Sequence, residues 1–257
     1  MIITNLQWWQ WITGFAAAWS VGFAKTGIPG ISVLAVPLMA LTVGNAKASV
    51  PVLLPLLILA DVFAVKRYYS SAQWNRIFPL FLPLSAGIAM GAMIINNLSE
   101  SSFKAFIGTL IIVMLVVHWW QEKKENQKIP DGIFAIMLFG TVAGIASTAA
   151  NAGGPVMILY LIAMKMPKEK FMGTATCFFA ILNLIKVPVY GFQGLFSTDG
   201  LILDFVFLWP VVIGSQMGFA VFNRIPQKQF VRIITILTIA TSIRLTVSGM
   251  HEMNLFN

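Results

Sequence analysis

Charge is scarce in this 257-residue chain: Asp, Glu, Lys and Arg together make up 10% of it. Water-soluble domains carry about 25%, so a soluble globule of this composition would lack the polar surface to cover its core. Cysteine is scarcer still. Cys177 stands alone, which excludes a disulfide scaffold. Histidine occurs only at His118 and His251, and no His-Glu-x-x-His motif is present, so an intramembrane zinc protease is excluded. There is no phosphate-binding loop, so the chain is not itself an ATPase. Ser147 follows Gly144 by three positions where a lipase-type Gly-x-Ser-x-Gly motif needs two, and the trailing glycine is missing as well. The stretch from Met1 to Gln10 has no Lys or Arg and lacks the charged start of a signal peptide. These absences predict a protein that is not an enzyme and that holds neither metal nor cofactor.

What is abundant is hydrocarbon. Hydrophobic residues form 58% of the chain, too many for disorder and enough for an all-α polytopic membrane protein. The formal net charge of +8 comes from basic residues scattered between long apolar runs. That pattern suits loops facing the cytoplasmic leaflet and not nucleic acid. Trp8, Trp9 and Trp11 suit a membrane–water interface. A membrane helix needs roughly 20 mostly apolar residues, and such runs are predicted at 46–65, 76–96, 102–120, 170–190, 201–222 and 227–248.

Two stretches, 9–43 and 132–164, are each too long for one span and are cut near the middle. The first cut reads Lys25-Thr26-Gly27-Ile28-Pro29-Gly30 and the second Asn151-Ala152-Gly153-Gly154-Pro155. Proline removes a backbone donor and glycine opens dihedrals closed to other residues, so both cuts predict broken helices. Non-helical backbone at membrane depth is tolerated only when it is buried in protein or lines a polar cavity.

The breaks sit within an internal repeat. Gly87-x-x-x-Gly91 is followed by Asn96 and Phe103, and Gly214-x-x-x-Gly218 by Asn223 and Phe230, all shifted by 127 positions. Shifts of 123 to 127 also superpose Gly30 on Gly153 and Lys47 on Lys170. The expected architecture is one membrane transport domain over residues 1–257. It comprises two inverted repeats, about 1–126 and 127–257, each a broken helical hairpin plus three transmembrane helices. The two glycine pairs read as helix-packing faces. With the N-terminus outside, twelve of the 17 basic residues fall on one face, among them Lys66, Arg67, Lys123, Lys124, Lys168 and Arg224. The positive-inside rule then makes that face cytoplasmic and puts both termini outside.

Four charges lie inside apolar runs: Lys25, Asp61, Lys186 and Arg244. A charge within a span is costly and points to function by default. Lys186 and Arg244 are near predicted helix ends, where long side chains can snorkel to the surface. Asp61 and Lys186 align at a shift of 125, which under inversion assigns them to an inner and an outer gate, with Asp61 the candidate for proton coupling and Arg244 for drawing anions from outside. Half-helices starting at Pro29 or Gly30 and at Gly154 or Pro155 would aim unpaired N–H groups and positive dipole ends at the bilayer middle. Around them, Lys25, Thr26, Gly27, Gly30, Ser147, Thr148, Asn151, Gly153, Gly154 and Pro155 are the predicted contacts for a small anion. Asn151 could instead cap the following half-helix, and Cys177 reads as a small packing residue.

The segment Gly22-Phe-Ala-Lys-Thr-Gly-Ile-Pro-Gly-Ile-Ser-Val-Leu-Ala-Val-Pro37-Leu resembles the first signature of the TauE/SafE sulfite exporter family. Gly144-Ile-Ala-Ser-Thr-Ala-Ala-Asn-Ala-Gly-Gly-Pro155 is similar to its second-half counterpart. The resemblance covers essentially the whole chain and implies a bacterial inner-membrane permease. Its substrates would be sulfur-containing or organic anions such as sulfite, thiosulfate or sulfonates. The expected function is therefore secondary transport of a small anion by alternating access, with protons as a candidate coupling ion. A homodimer is compatible with this reading. The rivals are an anion channel with the same site and a non-transporting membrane sensor or assembly protein.

Overall fold

The computed structural model describes residues 6–94, 132–151 and 153–252. In chain order the helices are α1 (Trp8–Thr26), α2 (Ala35–Val43) after a 3-10 turn at Ile31–Leu34, α3 (Ala46–Tyr68), α4 (Trp74–Ile94), α5 (Ile133–Ala150), α6 (Gly153–Ala163), α7 (Lys168–Phe192), α8 (Thr198–Arg224) and α9 (Gln227–Glu252). Among the described residues there is no strand. Four segments are long and apolar enough to cross a bilayer: Ala48–Ser71, Trp74–Met93, Lys168–Phe192 and Thr198–Arg224. The chain is a multi-pass helical membrane protein. The predicted span at 102–120 lies outside the described residues, as do His118, Lys123 and Lys124.

Local signals account for where these helices begin. Asn45 starts α3 by accepting a hydrogen bond from the Ala48 N–H at 3.1 Å, and Ser197 starts α8 by accepting one from Gly200 at 3.0 Å. Such side-chain caps satisfy donors that the first turn leaves unpaired. Prolines persist inside several helices, including Pro51 and Pro55 in α3 and Pro210 in α8. Membrane helices admit them where neighbours can satisfy the freed carbonyls.

α8 buries Gly200, Asp204, Gly214, Ser215 and Gly218 together with Leu203, Phe207, Val211 and Phe222, while Phe205, Trp209 and Ile213 are exposed. Small residues on the buried face let neighbouring helices approach closely, and large apolar residues on the outer face suit a helix solvated by lipid.

The helices fall into two compact units, each discontinuous in sequence. One comprises Met1–Gln73 with Met172–Phe230, the other Trp74–Phe171 with Val231–Asn257. In the first, the core joins α1, α2, α3 and α8 through Ala17, Val21, Met39, Leu53, Leu56, Phe207 and Val211. α1 lies against α8 so closely that a Cβ on Gly27 would stand 2.7 Å from the Gly218 Cα. In the second unit α5 lies against α4 in the same manner. A Cβ on Gly144 would stand 2.8 Å from the Ile88 nitrogen and 2.9 Å from the Gly87 carbonyl carbon. A threonine seats on a glycine in each seam, Thr26 on Gly218 and Thr148 on Gly91. The two glycine pairs thus do the packing expected of them.

Both breaks occur, with different lengths. α1 stops at Thr26, where the Gly27 N–H still reaches the Phe23 carbonyl at 2.8 Å. Gly30 then takes a left-handed φ of 104°, which stops helical propagation. The chain resumes as a 3-10 turn and becomes α-helical only at Ala35. The start expected at Pro29 or Gly30 is therefore displaced by five residues or more. Pro37 is the third residue of α2, and a proline is tolerated in a first turn because its missing N–H has no partner there in any case. The second break is only Asn151 and Ala152. α6 begins at Gly153, which makes Pro155 its third residue, in register with Pro37. Asn151 adopts φ 49°, and its N–H reaches the Ala146 and Ser147 carbonyls. Its backbone therefore closes the preceding helix as a left-handed C-terminal residue.

Candidate functional site

The last turn of α1 carries Lys25 beside α3, where its Nζ lies 2.6 Å from Asp61 Oδ1. The other carboxylate oxygen, Oδ2, accepts a hydrogen bond from Asn183 Nδ2 on α7, also at 2.6 Å. On α7, Phe179, Asn183, Lys186 and Tyr190 follow one another at four-, three- and four-residue steps. That spacing puts all four on one face of a helix. Lys25 Nζ sits 4.8 Å from the centre of the Phe179 ring, and Lys186 Nζ sits 5.6 Å from that of Tyr190. The charge of Lys186 also acts on both Lys25 and Asp61. Two lysines and one acid thus share one polar cluster between apolar helices, with one more basic group than acidic. Asp61 is 3% exposed and Lys186 is fully buried.

This arrangement corrects the expectation for Lys186 and Asp61. α7 runs six residues beyond Lys186, to Phe192, and its rotation turns the lysine into the bundle and not along the helix to the surface. Lys186 does not snorkel. Asp61 and Lys186, which the sequence assigns to opposite faces, stand within electrostatic reach of one another. Burying an ion pair is costly unless its remaining hydrogen-bonding capacity is met, and here Asn183 meets one part of it. Asn183 was not singled out from the sequence, although its position three residues before Lys186 is a signal that both share a face.

The neighbouring residues of the first break serve the helix seam. The Thr26 hydroxyl lies 2.8 Å from the Ser215 carbonyl and 3.0 Å from that of Gly22. It is wholly buried, and its single proton is shared between helix carbonyls. The Tyr68 hydroxyl donates to the Thr26 carbonyl at 2.7 Å, satisfying an acceptor that the end of α1 would otherwise leave open. Gly27 is held by its approach to Gly218, and Gly30 by its dihedral angle.

In the second unit, Ser147 and Thr148 are buried on α5, and the Thr148 hydroxyl donates to the Gly144 carbonyl at 2.9 Å. A Cβ on Gly153 would stand 2.8 Å from both the Ala143 carbonyl oxygen and the Ser147 Cβ, so packing alone selects that glycine. Gly154 differs: no described atom lies within 4 Å of the place its Cβ would take. Pro155 is buried in the first turn of α6. Cys177 is buried within α7. The side chain of Arg244, on α9, lies outside the described residues.

The sequence reading passed over two further polar groups. Asp204 and Ser215 lie on the buried face of α8, and among the described residues neither the Asp204 carboxylate oxygens nor the Ser215 hydroxyl has a hydrogen-bond partner. Among the described residues no group of three or more His, Cys, Asp or Glu could hold a metal ion.

Comparison with curated proteins and with solved structures gives no match. Residues 13–245 match the family profile described as Sulfite exporter TauE/SafE. That range takes in both helix breaks, both glycine seams and every member of the Lys25–Asp61–Lys186 cluster. The chain belongs to the sulfite exporter TauE/SafE family, a family of membrane transporters for sulfite-type anions.

Proposed function

We propose that this protein is a secondary transporter of a small anion, sulfite or a related sulfur-containing or organic anion, and that Lys25 and Lys186 supply the charge that holds it. The supporting observation is that two buried lysines meet one buried acid in this cluster. An anion entering a membrane protein loses hydration and needs compensating charge and hydrogen bonds, which ammonium groups supply strongly. In this reading Asp61 is a resident counter-ion that the transported anion displaces from Lys25, with Asn183 as a donor common to both. The protein then has two states, carboxylate-paired and anion-paired, as alternating access requires. It acts without catalysing a chemical reaction.

The wider architecture belongs to the same proposal. The repeated glycine and threonine seams support two inverted repeats, and the distribution of basic residues supports an inner-membrane location with both termini outside. Equilibrium binding and flux test the reading. Purified protein is expected to gain thermal stability with sulfite or a sulfonate, because a ligand that binds only the native form stabilises it by mass action. Lys186→Met is expected to lose that gain. Saturable, counter-flow-competent uptake into proteoliposomes supports a carrier, whereas non-saturating flux assigns a channel. Binding that is unchanged in Lys25→Met and Lys186→Met refutes the site.

A further inference from the structure

Asp204 lies seven residues into α8 and takes no part in the cluster described above. It is 4% exposed, and both carboxylate oxygens are buried without a hydrogen-bond partner among the described residues. Its helix neighbours Leu203 and Phe207 belong to an apolar core with Ala17 and Val21 of α1, Met39 of α2 and Leu53 and Leu56 of α3. One turn before it, Gly200 abuts Val52 of α3.

The ionisable groups of the helices packed against α8 are few. α1 contributes Lys25, which is paired with Asp61 and sits at the end of α1 that meets Gly218, fourteen residues further along α8 than Asp204. α3 contributes Asp61, which is bonded to Lys25 and Asn183. It also carries Lys66, Arg67 and Tyr68 at its far end, where Tyr68 meets Phe219 and Phe222. Lys47 lies near the start of α3, and its side chain is outside the described residues. On α8 itself the nearest acid is Asp199, in the first turn.

A carboxylate cannot remain ionised in such surroundings without a partner, and it neutralises instead. A metal cation would need several ligands, and among the described residues no group of three or more His, Cys, Asp or Glu could hold one. A proton needs no further ligand. We infer that Asp204 is a proton-binding site, neutral in the conformation described, and that it gives up its proton only when the contacts of α8 with α1 and α3 open to water. The step is a plain acid–base one: the Asp204 O–H bond breaks, the proton passes to water, and a carboxylate remains until a proton returns from the other side of the membrane. Taken with the proposed anion transport, on which this part rests, Asp204 couples anion movement to a proton gradient.

Two measurements test the inference. Infrared spectroscopy of the purified protein near neutral pH is expected to show the carbonyl stretch of a buried carboxylic acid. It should persist in Asp61→Asn, vanish in Asp204→Asn and shift in Asp204→Glu. Absence of the band in the wild type, or its survival in Asp204→Asn, overturns the inference. Should Asp204→Asn fail to accumulate in membranes, the wild-type band and its shift in Asp204→Glu decide the matter. In proteoliposomes, a pH gradient is expected to drive sulfite accumulation by the wild type and to lose that effect in Asp204→Asn. Retained pH-driven accumulation overturns the coupling role. If the wild type binds no sulfite or sulfonate, the transport proposal fails, while the infrared result still decides whether Asp204 holds a proton.

Discussion

Removing Asp61 should harm the protein more than removing Lys25, although the two form one ion pair. The pair is short, 2.6 Å between Lys25 Nζ and Asp61 Oδ1, and it stands near the fully buried Lys186. In the wild type two positive charges face one negative. Asp61→Asn leaves two cations in apolar surroundings with no acid between them. Breaking a buried pair in this way costs about 3–5 kcal/mol. Lys25→Met instead leaves Asp61 with Asn183 and with Lys186, so only a charged hydrogen bond is lost, about 1.5–3 kcal/mol. The double variant restores the wild-type charge balance and should recover part of the Asp61→Asn loss. At about 2–4 °C per kcal/mol for a chain of this size, Asp61→Asn is expected to lower the unfolding midpoint by roughly 6–20 °C. Thermal unfolding in detergent, followed by tryptophan fluorescence, gives the order directly. The same substitution removes the competing resident anion, so sulfite affinity should rise about tenfold, equivalent to about 1.4 kcal/mol. A Lys25→Met protein less stable than Asp61→Asn would refute the charge reasoning, and so would a double variant worse than either single one.

Three further outcomes are expected. Gly154→Ala should fold at least as well as the wild type, because the methyl group has room and alanine favours a helix by up to about 1 kcal/mol; any loss of anion binding in that stable variant marks Gly154 as a place of close ligand approach. Gly27→Leu should fail to accumulate as folded protein, since its side chain would have to enter the space of Gly218, and detergent-solubilised yield measures this. Thr26→Val should cost about 1 kcal/mol by removing the hydroxyl between α1 and α8 and leave the sulfite Kd unchanged; a large change in Kd would move Thr26 from packing to binding.

The fold was legible in the sequence where chain chemistry is strong. The runs at 46–65, 170–190 and 201–222 became α3, α7 and α8 with ends within three residues, because apolar length decides where a membrane helix can stop. Both breaks were legible for the same kind of reason: Gly30 and Pro29 interrupt a helix wherever they stand. Hydropathy reports depth along a helix but says little about which way a side chain faces. Lys186 was therefore expected at a surface, while helical phase put it beside Asn183 and Asp61. Asn151 was read for its side chain, yet its left-handed backbone is what the fold uses. Asp204 escaped notice because one acid in a long apolar run barely lowers its hydropathy, and only the packing of α8 shows that its oxygens are unpartnered.

Because each compact unit joins segments far apart in the chain, neither can be completed during the early stages of synthesis. The first three helices leave the ribosome some 125 residues before α8, the partner whose glycines receive α1. Lys25 and Asp61, however, emerge within the same initial segment. They can cancel one another in the translocon long before Asn183 and Lys186 arrive, so the nascent chain carries its own provisional charge balance across the wait.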